Sequence, residues 1–158
     1  VIGYGPAGQQ VCQALRNNGL TPGIIELNPD AIRRAQDRNV PIHIGDATGT
    51  EVLAHAGVPD ARAVIVTAPD PRVARDITAA VRSLAPQTRL IVRSRFQRAR
   101  EEIKAAGATT VVDEEHTVGC ILAQEALTSL ELGQNAGLAC ALAGRTPTVT
   151  ASINPKTA

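Results

Sequence analysis

Aromatic residues are almost absent from this chain: 158 residues carry one Tyr, one Phe and no Trp, and there is no Met. Single-stranded nucleic acid is held on aromatic platforms beside a cationic groove. Neither is available here, because the formal net charge is only +1 and the arginines are scattered. The same balance removes any strong attraction to an anionic membrane surface. Cysteines are few as well. Cys12, Cys120 and Cys140 form an odd set without C-x-x-C spacing, which argues against a zinc site and a disulfide scaffold and fits a reducing cytoplasm. His43 and His55 have no second histidine or cysteine close by, so no metal is expected. Lys104 and Lys156 are the only lysines, and of the histidines only His116 follows a strand pattern, where it reads as a surface residue at a helix start. No catalytic acid or base therefore presents itself. Long apolar runs are missing too, since none approaches the roughly 18 residues of a membrane-spanning helix.

What is present is enough apolar material, 44% with 20% charged, to bury one sizeable core in a single domain, without a separate substrate domain. Its organising feature is the opening stretch. Gly3, Gly5 and Gly8 spell G-x-G-x-x-G after an apolar pair and before a helical pattern, and Glu26 ends the next apolar run. In such a motif the first glycine makes the strand-to-helix turn, the second admits a pyrophosphate and the third lets helix and strand pack closely. Phosphate then rests on the helix N-terminus, where unpaired N–H groups and the helix dipole favour negative charge. A carboxylate such as Glu26 accepts from a ribose diol and repels a 2′-phosphate. NAD(H) or an adenine nucleotide (AMP, ADP or ATP) is therefore expected in preference to NADP. Only Val1 and Ile2 precede the loop, whereas a strand usually needs about five residues. The sequence is expected to begin inside its first strand, with upstream residues missing that leave room for a membrane domain.

Along the chain, apolar runs alternate with helical patterns. Strands are expected at Val1–Ile2, Gly23–Leu27, Pro41–Ile44, Ala63–Ala68, Arg89–Arg95 and Thr109–Val112, and helices at Gln9–Asn18, Pro29–Asn39, Thr50–Ala56, Pro71–Leu84, Phe96–Ala106 and His116–Leu132. Six of each specify an α/β fold, a doubly wound Rossmann fold with a parallel six-stranded sheet of order 3-2-1-4-5-6. Asn28-Pro29 and Asp70-Pro71 read as helix caps followed by proline at the first helical position. On the fourth helix Val73, Ile77, Ala80, Val81 and Leu84 are expected inward. Asp46 follows the third strand; its position fits either the adenosine half of a ligand or a turn that caps the next helix. Arg93 and Arg95 share one face at a strand end, open to a phosphate, a partner or solvent. Glu114 is expected to favour the N-terminus of the last helix. That helix carries apolar residues around more of its circumference than one sheet can cover, which predicts a homodimer through it. The nucleotide-binding domain is expected over 1–132, and 133–158 reads as a linker or arm, docked through Leu138 to Leu142 or partly disordered.

Several stretches together resemble the RCK (KTN, TrkA-N) domain: Gly3-Tyr4-Gly5-Pro6-Ala7-Gly8, the run from Ile24 to Asp30, and Gly45-Asp46-Ala47-Thr48. Leu53 to Val58, Ala63 to Val66 and Ile91 to Arg95 continue it. The resemblance implies a regulatory domain, not an enzyme, that binds NAD(H), AMP, ADP or ATP and gates potassium channels and transporters, including Kef-type potassium/proton antiporters. Such domains are dimers at the cytoplasmic inner face of the membrane, linked to a membrane-embedded transport domain upstream. It implies a contact set of Gly3, Tyr4, Gly5, Pro6, Ala7 and Gly8 for phosphate and Glu26 for ribose, with Leu27, Asp46 and Ala47 beside the adenosine and Arg93 or Arg95 near phosphate. Two residues depart from the pattern: Asn28 stands where many members have a second acid, and Ala74 where an asparagine is common. The rival readings are an NAD-dependent oxidoreductase fragment and a dimerisation module without nucleotide.

Overall fold

A computed structural model describes residues 1–130 of the chain. The elements run α1 (Pro6–Asn17), β1 (Ile24–Glu26), α2 (Pro29–Asp37), β2 (Ile42–Ile44), α3 (Thr50–His55), β3 (Ala63–Val66), α4 (Pro71–Leu84), β4 (Arg89–Ser94), α5 (Arg100–Ala105), β5 (Thr110–Asp113) and α6 (Glu114–Ser129). Short 3-10 turns lie at Val58–Asp60 and Gln97–Ala99.

Helix starts follow from proline and its neighbour. Pro6, Pro29 and Pro71 each take the first helical position, where the missing N–H costs nothing. Asn28 caps α2 by accepting from the Asp30 and Ala31 amides at 2.9 and 3.4 Å. Asp70 caps α4 in the same way, with Arg72 and Val73 at 2.9 and 3.1 Å. In α1 the preceding residue is Gly5, and no side chain caps the helix. Because Pro6 opens it, α1 starts three residues before the expected Gln9. The stretch expected as one helix from Phe96 is a 3-10 turn followed by the short α5.

All the ladders are parallel. β1 pairs with β2, and β4 lies between β3 and β5. Ile2 makes single parallel bridges to both Ile25 and Val66. The bonds are Ile2 N–H to the Ile65 carbonyl at 2.8 Å, Thr67 N–H to Ile2 at 2.9 Å and Gly3 N–H to Ile25 at 2.9 Å. Neighbouring residues of β1 serve different cores. Ile24 joins Tyr4, Cys12, Ala31, Ala35 and Val40, whereas Ile25 joins Leu53, Val64, Val66, Ile77, Val81, Leu90, Val92 and Ile103. This period of two is what a strand covered on both faces requires. Each fully buried Leu or Ile contributes roughly 1.5–3 kcal/mol through removal of apolar surface from water. On α4 the buried residues are Ala74, Ile77, Thr78 and Val81, while Val73, expected inward, is 41% exposed.

One arginine secures the loops at the starts of the strands. Arg82 Nε and Nη2 donate to the Gly107 carbonyl at 2.9 and 2.7 Å, and Nη1 donates to Pro86 at 2.5 Å and Thr88 at 3.1 Å. Gly107 has φ +113°, and a Cβ there would lie 2.7 Å from the Arg82 stem, so the residue is doubly restricted to glycine.

The chain divides into two compact units, Val1–Glu115 and a second that begins at His116. The first contains the ladders and α1 to α5. In the second, the α6 residues Val118, Ile121 and Leu122 are exposed at 48%, 57% and 64%, and they share one side of the helix at spacings of three and four. The expected arm at 133–158, and the helix end expected at Leu132, lie outside the described residues. Among the described residues no helix is long and apolar enough to cross a membrane.

Candidate functional site

Parallel strands bring their C-terminal ends to one edge, and ligands of such sheets bind beyond that edge. The glycine loop, Glu26, Asp46, Thr67 and Arg93 all follow or end these strands. The three glycines are held for two different reasons. Gly3 has φ +92°, and a Cβ there would come within 2.7 Å of Thr67 Oγ1. A Cβ on Gly8 would overlap the carbonyl oxygen of Gly3. Both are therefore required by the protein's own packing. Gly5 has ordinary extended angles, φ −68° and ψ −173°, and nothing lies within 4 Å of the position a Cβ would take. The space beside Gly5 is open, at the uncapped N-terminus of a 12-residue helix with no acid in its first turn. That is an anion seat in form: helix N–H groups without a side-chain acceptor, and a dipole with its positive end outward.

Glu26 faces this loop and is already bonded to it. Its Oε2 accepts from the Tyr4 amide at 2.7 Å, and its Oε1 accepts from the Leu27 and Asn28 amides at 2.7 and 2.8 Å. A carboxylate has about four acceptor positions, so one remains, on Oε2. The Tyr4 ring is buried in the smaller core cluster, and only its backbone belongs to the loop edge. Tyr4 O in turn accepts from Gln9 Nε2 at 3.2 Å. Leu27 is 60% exposed, and Ile44, whose register partner is Glu26, is 63% exposed. Two large apolar side chains thus stand in water beside the Glu26 carboxylate.

Asp46 does not cap α3. The residue before that helix is Gly49, and no side chain caps it. Asp46 Oδ1 instead closes its own turn, accepting from Thr48 N–H at 2.9 Å and from Thr48 Oγ1 at 2.8 Å. These bonds, the backbone one first, hold its carboxyl below the usual carboxylate range. Its side chain is exposed, with Oδ2 outside the turn. Ala47 is buried in the larger core cluster, so it lies under the site and not on its surface.

Thr67 and Glu114 complete the edge, and sequence reasoning gave neither a ligand-side role. Thr67 Oγ1 lies 3.1 Å from the carbonyls of both Ile2 and Gly3, and the residue is only 7% exposed. Its position directly after the apolar run of β3 was the available signal. Arg93 donates from Nε and Nη2 to Glu114 Oε2 at 2.8 and 2.5 Å, and from Nη1 to the Thr67 carbonyl at 3.4 Å. Glu115 ties the same helix start to the end of β4 by accepting from the Gln97 amide at 2.9 Å. Arg95 is exposed, with its guanidinium 5.4 Å from the Phe96 ring centre, and is not brought to the loop by any bond among the described residues.

Two shallow depressions of about 570 and 560 Å³ flank α1 next to the loop and share Gln9, Gln13 and Arg38. A larger cavity, about 740 Å³, lies elsewhere, beside Gly23, Ala63 and Arg89 at the starts of the strands. It is at the wrong end of a parallel sheet to be the nucleotide seat. Among the described residues no group of three or more His, Cys, Asp or Glu is arranged to hold a metal ion.

The model of the TrkA-N domain family matches residues 1–114. A putative K(+) efflux antiporter KefB from Alkalimonas amylolytica is 28% identical over 132 residues, which are 84% of this chain and 20% of that protein. The chain thus spans about a fifth of this relative. Among solved structures, the Kef CTD of Shewanella denitrificans in its AMP-bound form is 26% identical, covers 90% of this chain and 85% of its own, and superposes with a TM-score of 0.72. The TrkA-N domain of the inner membrane protein ybaL from Escherichia coli is 27% identical, covers 83% and 92%, and has a TM-score of 0.71.

Proposed function

The chain belongs to the TrkA-N domain family, and from that membership we propose that it is a regulatory domain that binds an adenine nucleotide, AMP, ADP, ATP or NAD(H), and thereby gates potassium or potassium/proton transport. The observation that carries the reading is the contrast among the glycines: Gly3 and Gly8 are demanded by packing, whereas Gly5 borders open space at an uncapped helix N-terminus. In this reading phosphate sits on the backbone from Gly3 to Gly8, one ribose hydroxyl donates to the remaining acceptor position of Glu26, and the base lies beside Leu27 and Asp46, with Ala47 buried beneath. Likeness to a Kef domain that holds AMP supports an adenine nucleotide. The bridges of Ile2 and the two core clusters support a doubly wound sheet of order 3-2-1-4-5-6. Likeness to a Kef domain in AMP-bound form favours regulation over hydride transfer, the alternative function of the same loop.

The transport domain would be membrane-embedded and joined upstream, placing this domain at the cytoplasmic inner face. The exposed apolar side of α6 supports a homodimer, and gating requires that two nucleotides differ in affinity for its two states. Thermal-shift titration with AMP, ADP, ATP, NAD, NADH and NADP tests the site. We expect a rise in melting temperature with the ligands that carry a free ribose diol and a smaller one with NADP, whose 2′-phosphate meets Glu26. Glu26→Ala should abolish the response, at some cost to the loop it fastens. An unchanged response in that variant would remove the ribose assignment.

A further inference from the structure

We infer that Glu114 is a positioning residue for nucleotide phosphate, acting through Arg93. This rests on the nucleotide reading above. The Arg93 guanidinium has five N–H donors in one plane. Three are engaged. Nε and Nη2 converge on a single oxygen of Glu114, at 2.8 and 2.5 Å, and Nη1 reaches the Thr67 carbonyl at 3.4 Å. Two donors remain, one on each terminal nitrogen, and such a pair matches two oxygens of a phosphate. The group is thus braced from two sides: by a carboxylate at the start of α6, and by the backbone of the residue whose hydroxyl contacts the Gly3 carbonyl. Arg93 and Glu114 are 27% and 40% exposed in their side chains, so the pair is partly sheltered yet open to a ligand.

A long arginine without such a brace samples many rotamers and loses them on binding. Glu114 removes that loss beforehand, and because it uses the side edge of the guanidinium it does not compete for the end. Asp or Glu in the first turn of a helix is ordinarily accounted for by the helix dipole. Here the carboxylate is turned back onto a strand-end arginine, a use that the dipole alone does not require.

Isothermal titration calorimetry of the chain with AMP and with adenosine separates the phosphate from the nucleoside. In Arg93→Gln we expect AMP affinity to fall about 10- to 100-fold, the scale of hydrogen bonds to a charged group, with adenosine unchanged. In Glu114→Gln we expect AMP affinity to fall roughly 3- to 10-fold as pre-organisation is lost, again with adenosine unchanged. Glu114→Gln in the Arg93→Gln background should add nothing. Tighter AMP binding by Glu114→Gln would mean that the carboxylate competes with phosphate, and the inference would be wrong. Equal losses for AMP and adenosine, or no loss, would reduce the pair to a structural tie. If the unaltered chain bound neither probe, the nucleotide reading itself would fall, a result distinct from all of these.

Discussion

The sharpest test of the site compares two alanine substitutions in one loop. Gly8→Ala places a methyl group on the Gly3 carbonyl oxygen and 3.2 Å from Thr67 Oγ1. Neither neighbour can yield, because the Gly3 N–H is bonded to Ile25 and Thr67 is buried. Forcing extra atoms into a packed site costs about 1–3 kcal/mol, and at about 3 °C per kcal/mol for a chain of this size the melting temperature should fall by about 3–9 °C. Gly5→Ala meets nothing within 4 Å and needs no unusual backbone angle. A better-ordered unfolded chain and a poorer N-cap roughly offset each other, so the shift without ligand should stay within about 3 °C. Ligand reverses the contrast. A nucleotide at one hundred times its dissociation constant stabilises by about 2.7 kcal/mol, which is about 8 °C on the same scale, and Gly5→Ala should lose this response because its methyl group occupies the phosphate's space. Differential scanning fluorimetry with and without AMP reads both effects. If Gly5→Ala kept the full AMP response, or fell as far as Gly8→Ala without ligand, the division between packing glycines and a ligand glycine would be refuted.

Two further outcomes follow from other parts of the molecule. Arg82→Met keeps the apolar stem but leaves the carbonyls of Gly107, Pro86 and Thr88 without their donor; we expect a loss of about 3 kcal/mol in urea unfolding with AMP affinity unchanged. Asp46 has a folded-state carboxyl held low by the Thr48 bonds, so its contribution is present above about pH 4, the ordinary aspartate value, and is lost as pH falls through the depressed one. Carboxyl NMR titration should show Asp46 protonating below that ordinary value, and Thr48→Val should return it toward normal.

How far the sequence could be read depended on the range of the interactions. Asn28-Pro29 and Asp70-Pro71 act within one turn, and both caps were legible. Gly5-Pro6 is the same device, but the glycine pattern continues to Gly8 and hid the start of α1. On α4, the helical spacing of apolar residues pointed to Val73, while Thr78 is buried with its hydroxyl bonded to the Ala74 carbonyl at 2.6 Å. That local bond lets a polar residue sit inside, and hydrophobic periodicity does not register it. The largest omissions were long-range. Thr67 meets Gly3 across 64 residues, and Arg93 meets Glu114 across 21, so no local pattern could reveal either pair.

Glu26 has a consequence for ligand turnover. Three backbone amides hold its carboxylate before any nucleotide arrives, so the side-chain freedom of a glutamate, about 1.5–2 kcal/mol, has already been surrendered in folding. In the proposed reading, the adenosine end is then a preset socket that each adenine nucleotide meets in the same form. One nucleotide can replace another without reshaping that half, and whatever distinguishes them must be felt at the other end of the ligand. In that reading, a cell's changing ratio of such nucleotides would be sensed through whatever each carries beyond its shared adenosine.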